Sequence, residues 1–108
     1  MKLWLDDIRN PAAYGYVGWH WVRTADEAIA LLAAPDVDIE EASLDHDLGW
    51  QATIGQTPAE KTGYDVVCWL EAFPECWPVG GVRVHSSNPV GRARMQQVID
   101  RQIGRAHV

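Results

Sequence analysis

Acidic side chains and histidines follow three short apolar runs of this chain, at the point where each run ends. The three groups are Asp6 and Asp7, then Asp45, His46 and Asp47, and finally His85 and Ser86. Because the carboxyl ends of parallel strands meet at one edge of a sheet, these side chains are expected to lie close together. Neighbouring carboxylates repel one another unless a cation neutralises them, and an oxygen-rich ligand set favours Mg²⁺ or Mn²⁺. The pattern predicts a divalent-metal site.

The four aspartates have different predicted roles in this metal site. Asp7 and Asp45 are the predicted ligands, whereas Asp6 and Asp47 either join the ligand set or support it. The alternative interpretation is that the acids only form turns, because Asp is common where strands end. His46 alternates with its acidic neighbours, so an extended backbone points its side chain away from them. His46 is therefore a structural residue, or it is a base or an additional ligand.

A histidine, two serines and a helix start stand together after the fourth apolar run. The imidazole of His85 suits a general acid, and Ser86 adds a hydroxyl beside it. Asn88 precedes Pro89, a pair typical of a helix N-terminus, so the first interpretation of Asn88 is a cap. A capped helix start with Arg92 in its first turn is also an anion site. Asn88 and Arg92 are therefore candidate substrate-binding residues.

Two further arginines leave predicted strand ends on the same rim of the sheet, at Arg9 and Arg23. The guanidinium group suits bidentate contacts to phosphate, so both are candidate substrate-binding residues. The alternative for each is an ordinary surface ion pair.

Alternating strand and helix patterns position these residues. Apolar and β-branched runs predict strands over residues 2–5, 19–22, 39–44 and 81–85. Caps and helical spacing predict helices over residues 25–34 and 64–73, and a last helix that begins at Pro89 and frays near Gly104. Residues 10–18 are predicted to form a loop without a helix, and residues 48–63 a loop long enough to close over the site. The pattern predicts an α/β domain with a mainly parallel sheet of about four strands.

Size and charge limit the kind of protein that this sequence encodes. With 108 residues, of which 47% are hydrophobic and 22% charged, the chain is expected to form one globular domain over residues 1–108. The formal net charge of −6 argues against duplex nucleic acid and anionic membranes as partners, so a phosphorylated ligand needs a local site. No apolar run approaches the roughly 20 residues of a membrane span, and the acidic start lacks a secretion signal. We expect a cytoplasmic protein with two reduced cysteines.

Several positions of the chain resemble the receiver domain of response regulators. They are Asp6-Asp7, Asp45, the helix start Thr62-Gly63-Tyr64-Asp65, and Ser86. In receivers the acids hold Mg²⁺, the aspartate after the third strand accepts a phosphoryl group, and the small hydroxyl residue contacts that group. A receiver also has a fifth strand that ends in a lysine. The lysines of this chain, Lys2 and Lys61, cannot occupy that place.

Four longer motifs look more like the cyclic-phosphate processing receiver-like domain, a small bacterial and phage family. They are Trp4-Leu-Asp-Asp-Ile-Arg9, Ser43-Leu-Asp-His-Asp-Leu-Gly49, Gly63-Tyr-Asp65 and Val84-His-Ser-Ser-Asn-Pro-Val-Gly-Arg92. The resemblance implies a truncated receiver-like, flavodoxin-like three-layer sandwich that retains the metal site. It also implies a role in opening cyclic phosphates that derive from nucleotides or RNA ends.

The leading hypothesis is a metal-dependent phosphoesterase that acts on a small cyclic phosphate. The metal would polarise the phosphate, and His85 would protonate the leaving oxygen. Ser86 and Asn88 would stabilise the charge that develops on phosphorus. The alternative is an atypical receiver-like signalling or interaction module without turnover. The missing lysine disfavours phosphotransfer, and His85 would have no role in that reaction.

Overall fold

The computed structural model describes residues 1–48 and 61–106 of the chain. Four strands are present there: β1 (Lys2–Leu5), β2 (His20–Val22), β3 (Glu41–Leu44) and β4 (Val82–Val84). The α-helices are α1 (Ala25–Ala33), α2 (Gly63–Ala72) and α3 (Pro89–Ala106). Each predicted strand and helix is confirmed, and the observed boundaries differ from the predicted ones by at most about two residues.

The four strands form one parallel sheet in the order β2-β1-β3-β4. β2 lies on one side of β1, whereas β3 and β4 lie on its other side, so the topological switch point is between β1 and β3. Open α/β sheets bind ligands in the crevice at this point. The register places Trp4 beside Ser43, and Ser43 beside Arg83, in one row across three strands. Backbone hydrogen bonds extend the ladder past the strand ends, and side chains alternate between faces. The next row on the same face therefore consists of Asp6, Asp45 and His85.

All three helices pack on the other face of the sheet. The inward strand residues there are apolar and fully buried: Leu3, Leu5, Ala42 and Leu44. Each helix contributes a buried stripe to the same core: Ala25, Ala28 and Leu32 from α1, Val66, Val67 and Leu70 from α2, and Met95, Val98 and Ile99 from α3. This continuous core stabilises the sheet and fixes the positions of its strand ends.

The segment between β1 and β2 covers the opposite face of the sheet. It contains a short 3₁₀ turn, Pro11–Tyr14, and no α-helix, as its glycines and proline predict. Trp4 of β1 is only 3% exposed, and it packs against Tyr16 and Trp19 with ring centroids 4.9 and 6.1 Å away. The predicted α/β, receiver-like fold class is confirmed. The second covering layer of the sandwich is this aromatic segment.

Threonine caps fix the starts of α1 and α2. Thr24 Oγ1 accepts the backbone N–H of Glu27 at 3.1 Å. Thr62 Oγ1 accepts the N–H of Tyr64, while the carboxylate of Asp65 accepts the N–H of Thr62 at 2.7 Å. This reciprocal pair is a capping box, and it holds the first turn of α2 beside the end of β3.

Cys68 and Cys76 carry free thiols. Within residues 1–48 and 61–106, no helix is both long enough and apolar enough to cross a membrane. Residues 49–60, most of the loop predicted to close over the site, lie outside the described residues.

Candidate active site

Three carboxylates converge at the crevice between β1 and β3. One oxygen from each of Asp6, Asp7 and Asp45 lies within 4.8 Å of the other two. Asp6 and Asp45 are buried, and Asp7 is half-buried. The structure therefore brings together three of the four aspartates that the sequence assigns to the metal site, because β1 and β3 are neighbours in the sheet.

Asp6 is the most enclosed of the three acids. Its Oδ1 accepts the backbone N–H groups of Ile8 and Arg9 at 3.0 and 2.9 Å, and its Oδ2 lies 3.1 Å from His85 Nε2. Burial alone would raise the pKa of Asp6, but the hydrogen bonds from His85 and from those two backbone groups bring that pKa below its usual value. Asp6 is therefore held as a carboxylate.

Asp45 has the opposite electrostatic balance. Burial, followed by the negative charge of Asp6, raises the pKa of Asp45 above its usual value. Hydrogen bonds from Ser86 and from the backbone N–H of His46, at 2.9 Å, act against this rise. The oxygen of Ser86 also accepts the N–H of Asn88 at 3.1 Å, so its hydroxyl proton is directed to Asp45. Two neighbouring acids with opposite shifts share one site.

His85 spans the sheet edge from the end of β4 to the end of β1. Its Nε2 lies 3.1 Å from Asp6 Oδ2, and its Nδ1 lies 2.7 Å from Ser43 Oγ on the intervening strand. The imidazole stacks on the indole of Trp4, with ring centroids 3.9 Å apart and a 9° angle between the planes. The small Ser43 side chain leaves room for the ring above β3. Both nitrogens and one face of the ring are therefore fixed by the protein.

His46 and Asp47 form a second pair, separate from the three acids. His46 Nδ1 lies 2.8 Å from Asp47 Oδ1, and the same carboxylate oxygen accepts Asn88 Nδ2 at 3.2 Å. The hydrogen bond with His46 lowers the pKa of Asp47 below its usual value. Burial acts in the opposite direction, and the hydrogen bond from Asn88 lowers the pKa further. Asp47 is not one of the three acids whose oxygens lie within 4.8 Å of one another, because its carboxylate is engaged in this pair.

Asn88 caps α3, as the sequence indicates. Its Oδ1 accepts the N–H of Gly91 at 3.1 Å, and its backbone oxygen accepts the N–H of Arg92 at 2.9 Å. The N–H of Gly91 is therefore already occupied, which weakens the helix start as an anion site. The side chain of Arg92 is exposed in the first turn of α3.

Two glycines allow close approach of the helices to the site. A Cβ atom at Gly63, the first residue of α2, would overlap the backbone oxygen of Asp45. A Cβ atom at Gly91 would overlap the imidazole ring of His46. The N–H of Gly63 also donates to the oxygen of His46 at 3.0 Å. Residues 45–46 are thus held between the first turns of α2 and α3.

Arg9 and Arg23 have different surroundings. The Nη1 of Arg9 lies 3.7 Å from Asp6 Oδ2, and its Nη2 lies 3.4 Å from Ser87 Oγ. These are long contacts, and they leave the guanidinium at the rim of the acid cluster. Arg23 instead donates from Nε and Nη2 to the backbone oxygen of Asp7, at 3.0 and 2.7 Å. Arg23 therefore supports the turn after β1, whereas Arg9 lies at the rim of the acid cluster.

A cavity of about 530 Å³ opens beside the acid cluster, on the face of the sheet that carries Trp4. One part of its wall is aromatic and consists of Trp4, Tyr14 and Tyr16. The other part is polar and consists of Arg9, His85, Ser86 and Ser87. The volume lies in the range of small-ligand sites.

Sequence reasoning missed Ser43 and the aromatic wall of this cavity. Ser43 precedes Asp45 by two residues, so the period of a strand already placed it on the same face. The rings of Trp4 and Tyr16 meet only because the segment after β1 folds back, and no local pattern indicates that return.

A parallel sheet in this order, with acids at the ends of β1 and β3 and a serine after β4, defines a receiver-like domain. A family model described as the cyclic-phosphate processing receiver domain matches residues 1–101, and the chain belongs to this family. Searches of the curated proteins and of the solved structures found no match.

Proposed function

We propose that this domain hydrolyses a small cyclic phosphodiester at the crevice between β1 and β3, with a divalent cation held by Asp6, Asp7 and Asp45. The observation that carries the proposal is the convergence of three carboxylates, two of them buried, in a chain whose family is named for cyclic-phosphate processing. Buried like charges disfavour the folded state unless a cation compensates them.

The donor set fits Mg²⁺ or Mn²⁺. All three groups offer carboxylate oxygens, which are the ligands that these hard cations prefer. Among the described residues, no imidazole nitrogen belongs to the cluster, so nothing in it selects a nitrogen-seeking metal. The bound cation supplies positive charge to the phosphate oxygens.

Hydrolysis needs one proton donor and one proton acceptor. The water oxygen forms a bond to phosphorus, a bond from phosphorus to one ester oxygen breaks, and that ester oxygen takes a proton. His85 is the proposed donor, because its Nε2 faces the acid cluster and its ring borders the cavity. The proton passes from Nε2 to the ester oxygen, and Nδ1 keeps its hydrogen bond with Ser43. In this step Nε2 exchanges Asp6 for the ester oxygen as its partner.

His46 is the proposed acceptor of the proton that the water loses. Its Nδ1 is paired with Asp47, and its Nε2 has no hydrogen-bond partner among residues 1–48 and 61–106. A carboxylate on one ring nitrogen orients the imidazole and leaves the other nitrogen available as a base. Asp47 would then act as a positioning residue for His46.

The rival function is a phosphoacceptor or interaction module, as in signalling receivers. Lys61 Nζ pairs with Asp26 at 2.7 Å, and Lys2 Nζ lies over the ring of Trp19 at 5.7 Å from its centroid. Neither lysine is engaged with Asp45. Phosphotransfer to Asp45 would therefore lack the lysine ammonium group that receivers provide, and this favours hydrolysis.

Turnover of cyclic phosphates with Mg²⁺ or Mn²⁺, followed by ³¹P NMR, tests the proposal. We expect ring opening to a monoester, loss of turnover in Asp7→Ala, and a decrease of about 10²–10⁴-fold in His85→Gln, which keeps an N–H for Asp6 but cannot transfer a proton. Asp38→Asn, an exposed aspartate outside the site, is the control.

Failure to open any cyclic phosphate with either metal would refute the proposal. Covalent labelling of Asp45 by a small phosphodonor, together with that failure, would establish the rival function.

A further inference from the structure

We propose that the cavity beside the acid cluster binds a nucleobase, so that the substrate is a nucleoside cyclic phosphate and not a base-free cyclic phosphate. This inference rests on the proposed function, because the phosphate must lie at Asp6, Asp7 and Asp45 for its organic part to enter the cavity.

The cavity wall has a polar side and an aromatic side, and this difference determines how a ligand would be oriented. Arg9, Ser86 and Ser87 lie on the polar side. That side borders the acid cluster directly, since Ser86 hydrogen-bonds Asp45 and Arg9 lies 3.7 Å from Asp6. A phosphate held there leaves its organic substituent facing the aromatic side.

The aromatic side offers exposed ring surface to that substituent. Tyr14 and Tyr16 are 59% and 41% exposed, although both are large apolar rings. Trp4 is nearly fully buried, because His85 stacks on it and Tyr16 packs near it. The ring surface available to a ligand therefore belongs to the two tyrosines. Any nucleobase can stack on such a ring, because every base is a planar heterocycle.

The backbone that carries both tyrosines, and the ring of Tyr16, are held in place before any ligand binds. Asn10 caps their turn by accepting the N–H of Ala12 at 3.1 Å, and Gly15 ends it at a φ of 87°. The N–H of Tyr16 donates to the oxygen of Pro11 at 3.0 Å, and its ring meets Trp19 edge-on at 5.6 Å. A preformed wall of this kind reduces the entropy lost on binding.

Volume and charge narrow the ligand further. With the phosphate at the acid cluster, a cavity of about 530 Å³ has space for a sugar and one base. The net charge of −6 opposes long polyanions, so a mononucleotide or the end of a short single strand fits better than a duplex. Both sources present the same chemistry, a base attached to a ribose that carries the cyclic phosphate.

The test compares three compounds with Mg²⁺ present: adenosine 2′,3′-cyclic phosphate, a short RNA strand that ends in the same group, and ribose 2′,3′-cyclic phosphate without a base. We expect the base-free compound to have a KM about 5- to 150-fold higher, because one base–aromatic stack is worth about 1–3 kcal/mol. Comparing the mononucleotide with the strand end distinguishes the two sources, and a preference for either supports the inference.

Variants of the wall give an independent measurement of the same interaction. Tyr14→Ala and Tyr16→Ala should each raise the KM of the adenosine compound and leave that of the base-free compound unchanged, whereas Tyr14→Phe should resemble the parent. Val17→Ala is the control, because Val17 is 81% exposed in the same segment and does not line the cavity.

Equal KM values for the adenosine and base-free compounds, with no effect of Tyr14→Ala, would overturn the inference and leave the proposed function intact. If neither compound is opened, the proposed function fails and the inference fails with it. A melting curve for each variant separates loss of the wall from loss of the fold.

Discussion

Replacing Asp45 with asparagine should stabilise the metal-free protein, although Asp45 is buried and hydrogen-bonded. Oxygens of Asp6 and Asp45 approach within 4.8 Å, and two unit charges at that distance repel by about 3.5 kcal/mol at an effective dielectric constant of about 20. Asparagine removes this repulsion, but its neutral amide makes weaker hydrogen bonds than the carboxylate, which reduces the stabilisation by about 1–2 kcal/mol. The net effect is a stabilisation of about 2 kcal/mol, or roughly 8–16 °C in Tm for a domain of this size.

The stabilisation should depend on pH in a defined direction. Because the folded-state pKa of Asp45 is raised, the folded protein binds its proton more tightly than the unfolded chain does. Stability therefore falls as the pH rises from the unfolded carboxyl pKa of about 3.9 through the raised folded value. The advantage of Asp45→Asn should be largest near neutral pH and should vanish below about pH 4.

Thermal melts in a chelator and in excess Mg²⁺ are the assay. Mg²⁺ that binds only the folded parent stabilises it by about 2.7 kcal/mol at 100 times its Kd, and Asp45→Asn should lose most of this response. Asp36→Asn, an exposed aspartate, should change stability by no more than about 0.5 kcal/mol. If Asp45→Asn melts below the parent in chelator at pH 7, the repulsion argument is wrong. If it responds to Mg²⁺ as the parent does, Asp45 is not a ligand.

Two further variants and one control variant, all in α3 or its cap, test how α3 holds the site, with melting temperature and turnover as the measurements. Gly91→Ala should cost about 1–3 kcal/mol and lower turnover, because its Cβ would displace the ring of His46, whereas Gly104→Ala has open space and should stabilise α3. Equal effects of both would contradict a specific overlap. Asn88→Ala should cost about 1 kcal/mol through the lost cap and, by freeing Asp47, should retain only part of the activity; an unchanged melting temperature would exclude the cap.

The meeting of Asp6 with Asp45 was predictable from the sequence for a geometric reason. Both follow apolar runs, and the carboxyl ends of parallel strands share one edge whatever the strand order. The helices were predictable because Thr24 and Thr62 cap them and prolines follow α1 and α2. Caps and prolines act on residues within a few positions of themselves, so tertiary packing does not change their effect.

The side-chain partners at the site depend on strand order, which the sequence does not encode locally. His85 reaches Asp6 over β3 only because β3 lies between β1 and β4 and carries the small Ser43 at that row. Asp47 turned away from the other acids because the backbone after Asp45 leaves the strand, which brings it to His46 and Asn88. These contacts join residues about 40 to 80 positions apart or depend on a turn.

The cavity has its structural origin in the segment between β1 and β2, which contains no α-helix. Because a 3₁₀ turn and two glycines replace an α-helix between β1 and β2, Trp4 is covered by separate aromatic rings and not by a continuous helix face. Gaps between rings leave a cavity where a packed helix would leave none. His85 belongs to both sides of this arrangement, since it bonds Asp6 and stacks on Trp4. One imidazole therefore contacts both the acid cluster and the aromatic wall, so a substitution that displaces Trp4 should also disturb the hydrogen bond between His85 and Asp6.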